Sequence, residues 1–169
     1  MKKIRSVVHI ASWILSSVVF LTAIALIAAF VCGYRMYCIQ TGSMEPDYTV
    51  GTIIFVKPVD FNSLFEGDVI TFRSGSVVVT HRIVSIDRDS EKVETKGDNN
   101  DTADFSPTDY SDIIGRVEYY VPYVGYPVLF GQTLAGKIII VNVFLLFILA
   151  VNVIRYLEED DEEDKVSTV

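Results

Sequence analysis

Three stretches of this sequence carry side chains able to do covalent chemistry. The first is Thr41-Gly42-Ser43-Met44-Glu45-Pro46. A residue that precedes proline is pushed out of helical geometry, so the serine sits in a constrained turn. Such a turn can hold a hydroxyl exposed while backbone N–H groups face a developing oxyanion. Taken alone, an ordinary Gly-Ser turn entering a strand accounts for these residues better. The second is Thr80-His81-Arg82, at the end of the apolar run Val77-Val78-Val79-Thr80; the other histidine, His9, lies in an apolar stretch near the N-terminus. Imidazole titrates near neutrality and suits a general base, although a lone histidine is more often a core or capping residue. The third runs from Lys96 to Asp104 (KGDNNDTAD). It reads as a solvated loop or an adventitious cation site, or as the source of the carboxylate that orients the imidazole of a Ser–His pair. Asp98 follows a glycine and precedes two asparagines, a position suited to capping its own turn. Serine, histidine and carboxylate together would support acyl transfer through a covalent intermediate.

Holding such groups in place requires a rigid frame, and the sequence between residues 33 and 131 reads as strands. Thr52–Val56, Val69–Phe72, Val77–Thr80, Ile83–Ile86 and Arg116–Val121 are β-branched or aromatic runs. Pro46-Asp47, Lys57-Pro58, Glu66-Gly67-Asp68 and Lys96-Gly97-Asp98-Asn99-Asn100 bound them as turns. Arg73-Ser74-Gly75-Ser76 reads as a hairpin loop, and no helical periodicity of useful length occurs here. The expected fold class is mostly β: a small, partly open β-barrel or sandwich.

The boxes TGSMEP, GDVITF, VTHRIVSI and KGDNN–TAD follow one another in order between Ile39 and Val124. In that order they resemble the motif boxes of type I signal peptidases. The nearest branch is the endoplasmic-reticulum and archaeal type, also found in some Gram-positive bacteria, which uses a histidine where the common bacterial branch uses lysine. The resemblance implies that Ser43 is the nucleophile and His81 the general base, with Thr41 and the N–H of Ser43 forming the oxyanion hole. Asp104 matches the charge-relay aspartate, six residues past Asp98, which matches a second aspartate the family requires and stands as the alternative or supporting acid. This sequence has Asp101-Thr102-Ala103-Asp104 where the family ends in a paired aspartate. No metal or organic cofactor is implied.

Half of the residues are hydrophobic, yet 21% are charged, which points to apolar spans joined to a polar domain. No charged residue occurs in the 29 positions from Ser6 to Tyr34, nor in the 17 from Ile138 to Ile154. A bilayer-crossing helix takes roughly 20 apolar residues, with about 17 to 25 tolerated. The first run is too long for the h-region of a cleavable signal peptide, and no small-residue cleavage site follows Tyr34, so an uncleaved anchor is expected. The second run can be extended by residues 131–136, with Lys137 reaching to the interface. Lys2, Lys3 and Arg5 place the N-terminus in the cytoplasm. The expected plan is a cytoplasmic N-terminus (1–6), a transmembrane helix (7–32), an extracytoplasmic β-rich domain (33–131), a second transmembrane helix (132–155) and an acidic cytoplasmic tail (156–169). Glu158–Asp164 are seven acidic residues in succession, and such a run is expected to be unstructured.

The middle segment has eight Lys and Arg against fifteen Asp and Glu, which excludes a basic nucleic-acid-binding surface. Cys32 and Cys38 have no metal-ligand spacing, and a functional disulfide between them is not expected. Asn100-Asp101-Thr102 is a glycosylation sequon of consequence only in a eukaryotic lumen. About ten residues separate the first span from Ser43, so at ~3.5 Å per residue the serine lies within roughly 35 Å of the bilayer. Signal peptides present their scissile bond just beyond an apolar segment, which suits a tethered active site. The expected function is removal of signal peptides from exported pre-proteins. The lipid bilayer and accessory subunits or a translocon are its further partners, and the cell membrane, or the endoplasmic reticulum in a eukaryote, its location. Two rivals stand beside it: a specialised or self-processing peptidase of the same clan, and an inactive membrane-anchored assembly or binding subunit.

Overall fold

A computed structural model describes residues 2–167. The chain divides into one unit up to Val124 and another from Gly125 onward.

The first unit opens with α1 (Lys2–Val31) and continues into seven strands: β1 (Arg35–Cys38), β2 (Ile53–Lys57), β3 (Val69–Ser74), β4 (Val77–Asp87), β5 (Lys92–Lys96), β6 (Thr108–Asp109) and β7 (Ile113–Val121). They form one sheet in the order β1-β2-β7-β3-β4-β5-β6, and every pairing is antiparallel. The mostly β fold expected from the sequence is therefore present, as an open sheet. β1, β5 and β6 were not legible as strands. They are short and carry charges, and their pairing partners supply what their own residues do not.

The expected strands at Val77–Thr80 and Ile83–Ile86 are one continuous strand, β4, so His81 lies within a strand and not at its end. The polar residues Thr80-His81-Arg82 do not interrupt it because each has a partner: Thr80 bonds Thr71 (2.9 Å), while His81 and Arg82 each hold a carboxylate. β3 and β4 are in register from Val69↔Arg82 to Ser74↔Val77, which sets Ile70 opposite His81. Two apolar clusters hold the sheet. One joins Phe61, Leu64, Ile70, Phe72, Ile83 and Val93, the other Ile39, Ile54, Val56 and Ile114. Full burial of an aliphatic side chain of this size contributes about 1.5–3 kcal/mol.

In the first unit, Ser12–Val31 is long and apolar enough to cross a membrane, and none of it is buried against protein. The second unit consists of α2 (Tyr126–Gln132) and α3 (Leu134–Ser167), of which Leu134–Asn152 meets the same criterion. The upstream extension of this second run is not one helix. Thr133 takes an extended conformation, its hydroxyl donates to the Phe130 carbonyl (2.7 Å) and it accepts the N–H of Gly136 (2.9 Å), ending α2 and capping α3. Gly136 permits this break, since a methyl group there would sit 1.9 Å from the Phe130 carbonyl oxygen. Two polar side chains in the span bond their own helix, Asn142 to the Ile138 carbonyl and Asn152 to that of Ile148 (both 2.8 Å). The tail expected to be unstructured continues α3 as far as Ser167; its last two residues lie outside the described ones.

Candidate active site

Ser43 is the middle residue of a single 3-10 turn, Gly42–Met44. Thr41 enters this turn in extended geometry and Glu45 leaves it in the same way, the latter as expected for a residue before proline. The Met44 side chain is buried and pins the turn, which leaves the hydroxyls of Thr41 and Ser43 outward and 3.4 Å apart. The loop after β5 grips the other side. Asn99 N–H donates to the Ser43 carbonyl (2.8 Å), and Asn99 Nδ2 donates to the Gly42 carbonyl (3.2 Å). Gly97 makes this approach possible, because a methyl group there would lie 2.7 Å from the Ser43 carbonyl oxygen.

His81 is 7% exposed, with its ring edge-on to Phe72 across the strand pair. Its Nε2 lies 3.3 Å from Ser43 Oγ, and its Nδ1 lies 2.7 Å from Asp104 Oδ2. Serine, imidazole and carboxylate thus form one hydrogen-bonded line drawn from three parts of the chain. Asp104 is tied to β5 twice: its N–H donates to the Thr95 carbonyl (2.8 Å), and the Thr95 hydroxyl donates to Oδ2 (2.6 Å).

Asp98 stands elsewhere. Instead of capping its own turn, it receives two bonds from Arg82, Nε to Oδ1 (2.8 Å) and one terminal nitrogen to Oδ2 (2.6 Å). The same guanidinium donates to Asp47 (3.1 Å) and to the Gly67 carbonyl (2.9 Å). Arg82 therefore staples the loop after β5 to the segment that follows Ser43. The Asp98 hydrogen bond is the main cause that raises the arginine's pKa. A planar fork matched to a carboxylate favours this pairing, which the local sequence Gly-Asp-Asn-Asn does not reveal.

Beside Ser43 runs a groove of about 610 Å³. Cys38, Ile39 and Gln40 flank it on one side and Val77–Val79 on the other, with Met44 among its lining. β4 pairs with β3 along Val77–Arg82 but with β5 only from Arg82 onward, so the far edge of Val77–His81 is open to a further strand. The thiol in this lining, Cys38, is pushed up by burial, which disfavours its thiolate. Of the two nucleophile types at the groove, the serine has the imidazole. Among the described residues no cluster of three or more His, Cys, Asp and Glu could hold a metal ion. The structure thus brings Ser43, His81, Asp104 and Thr41 together and gives Asp98 a separate partner. Arg82, Thr95 and Gly97 complete the surroundings and were not singled out by their residue types.

Comparison with known proteins supplies relatives for this chain. The family model described as signal peptidase, peptidase S26, matches residues 10–117. Signal peptidase I W of Bacillus subtilis is 43% identical over 93 residues, covering 53% of this chain and 48% of that protein. The signal peptidase complex catalytic subunit SEC11 of Eremothecium gossypii is 35% identical over 102 residues, covering 52% of this chain and 60% of its own. The human catalytic subunit SEC11C is 27% identical over 99 residues, with 52% of each chain covered. The chain spans about half the length of the Bacillus and human proteins and 60% of the Eremothecium one.

Proposed function

Because the chain belongs to the signal peptidase family, peptidase S26, we propose that it is a membrane-bound serine endopeptidase that removes N-terminal signal peptides from exported pre-proteins. The observation that carries this reading is the line Ser43 Oγ–His81 Nε2–His81 Nδ1–Asp104 Oδ2, at 3.3 and 2.7 Å.

Ser43 Oγ attacks the scissile carbonyl carbon while His81 Nε2 takes its proton. Asp104 holds the Nδ1–H tautomer and stabilises the imidazolium that forms. The oxyanion of the tetrahedral intermediate is met by the Ser43 N–H and the Thr41 hydroxyl, which share one turn. The C–N bond then breaks, and Nε2 returns the proton to the departing amine of the mature chain. A water molecule attacks the acyl-enzyme, passes its proton through Nε2 to Ser43 Oγ, and frees the signal peptide with a new carboxylate.

The groove suits the substrate. An extended peptide can add to the open edge of β4, where main-chain bonds give affinity and alternate side chains enter pockets. Ile39, Met44 and Val79 give those pockets apolar walls, fitting the small residues that precede a signal-peptide cleavage site. Both apolar helices cross the bilayer in this reading, with residues 33–131 extracytoplasmic and both termini in the cytoplasm. Asn142 and Asn152, bonded to their own helix, are compatible with a hydrocarbon setting. The relatives named SEC11 are subunits of a complex by name, and accessory subunits or a translocon are the corresponding partners here.

The test is cleavage of a labelled secretory precursor by the purified full chain in liposomes, beside Ser43→Ala and His81→Ala. Both variants should insert normally and lose processing, and the double variant should be little worse than either. Substantial cleavage by Ser43→Ala would end the serine-peptidase reading.

A further inference from the structure

We propose that Thr95 is a positioning residue of the site, its hydroxyl holding the carboxylate oxygen that receives His81 Nδ1–H; this rests on the serine-peptidase reading above. Thr95 lies on β5 and is fully buried. A buried hydroxyl without a partner is costly, and this one donates to Asp104 Oδ2 at 2.6 Å. The bond ends on the same oxygen that lies 2.7 Å from His81 Nδ1. The main chain repeats the tie, since Asp104 N–H donates to the Thr95 carbonyl at 2.8 Å.

These contacts fix what the loop itself leaves loose. A carboxylate rotates about its terminal torsion, a broad and roughly two-fold one, so either oxygen can come forward. The Asp104 side chain is 24% exposed, and water can compete for it. Two donors converging on Oδ2 select one rotamer and one oxygen. Imidazole orientation then passes from β5 through Asp104 to His81 and on to Ser43.

A structural role alone would not need the hydroxyl. Valine has the shape and strand preference of threonine and would fill the same buried place beside Val93 on β5. Only the O–H distinguishes the two, and it is spent on the carboxylate that touches the candidate base.

The experiment compares Thr95→Val and Thr95→Ser with wild type in the full chain. Precursor cleavage gives kcat and KM, and the low-field proton resonance of His81 Nδ1–H, identified by its loss in His81→Ala, is followed without precursor. Thr95→Val should lower kcat by about 10- to 100-fold, the range for a lost hydrogen bond to a charged group, with KM unchanged. Its Nδ1–H resonance should shift or broaden, while Thr95→Ser restores both rate and resonance. Wild-type kcat and an unaltered resonance in Thr95→Val would overturn the proposal, as would a Thr95→Ser as slow as Thr95→Val. If Thr95→Val does not melt cooperatively, Thr95→Ala against Thr95→Ser repeats the comparison. The resonance is read without substrate, so it judges the hold on Asp104 even if Ser43→Ala still cleaves and the peptidase reading falls.

Discussion

Asp98 and Asp104 lie on the same loop, six residues apart, and their carboxylates turn to different partners. Asp104 reaches His81 Nδ1, whereas both oxygens of Asp98 are taken by Arg82. His81 and Arg82 are themselves consecutive on β4, where successive side chains point to opposite faces of the sheet. One loop thus supplies an acid to each face of one strand.

This separation makes two asparagine variants diverge. Asp104→Asn keeps the shape but favours the wrong tautomer of His81, and is expected to lower kcat by ~10⁴ with normal melting, as in the best-studied serine protease. Asp98→Asn removes the charge from the Arg82 fork yet leaves an acceptor oxygen. It is expected to lower Tm by several degrees and retain part of the activity. Precursor cleavage and thermal melting read the two. An inactive but normally melting Asp98→Asn beside an active Asp104→Asn would reverse the assignment.

Gly97→Ala tests the grip on the Ser43 turn. The added methyl must displace the Ser43 carbonyl, 2.7 Å from where it would sit. A misplacement of about 1 Å can cost on the order of 10²-fold in rate. Loss of kcat on that scale is expected with the fold retained; wild-type kcat would mean that the loop yields instead.

Thr41→Val is expected to slow cleavage by ~10²- to 10³-fold without abolishing it, the scale for removing one oxyanion donor. Unchanged turnover would leave Thr41 only the role of shaping the turn.

Topology is open to cysteine labelling with an impermeant reagent. With Cys32 and Cys38 replaced, a cysteine at Ser74 should label from outside intact cells, and one at Ser167 only after lysis. Labelling of both from outside would remove the second crossing.

Fold class was legible because β-branched runs and turn formers alternate along the middle of the chain. The continuity of β4 through Thr80-His81-Arg82 was not, since polar residues look like a strand end until their cross-strand and loop partners are known. Ser43, His81 and Asp104 could be named from their motif boxes, and the structure brings the three together. Thr95 could not: in Lys92-Val93-Glu94-Thr95-Lys96 a threonine reads as an ordinary strand former, and its value lies in a carboxylate nine residues away. Arg82 and Gly97 were hidden for the same reason, each acting through a contact between distant parts of the chain.

The pairing of Ile70 with His81 bears on errors of folding. Because side chains alternate along a strand, a one-residue slip of β4 against β3 would turn the imidazole away and present Thr80 or Arg82 in its place. The same slip would turn out Ile83, which shares His81's parity and is 1% exposed. A molecule with a misdirected His81 would therefore also lose part of its core. Hydrophobic burial of Ile83 thus opposes the same slip that would misdirect the histidine.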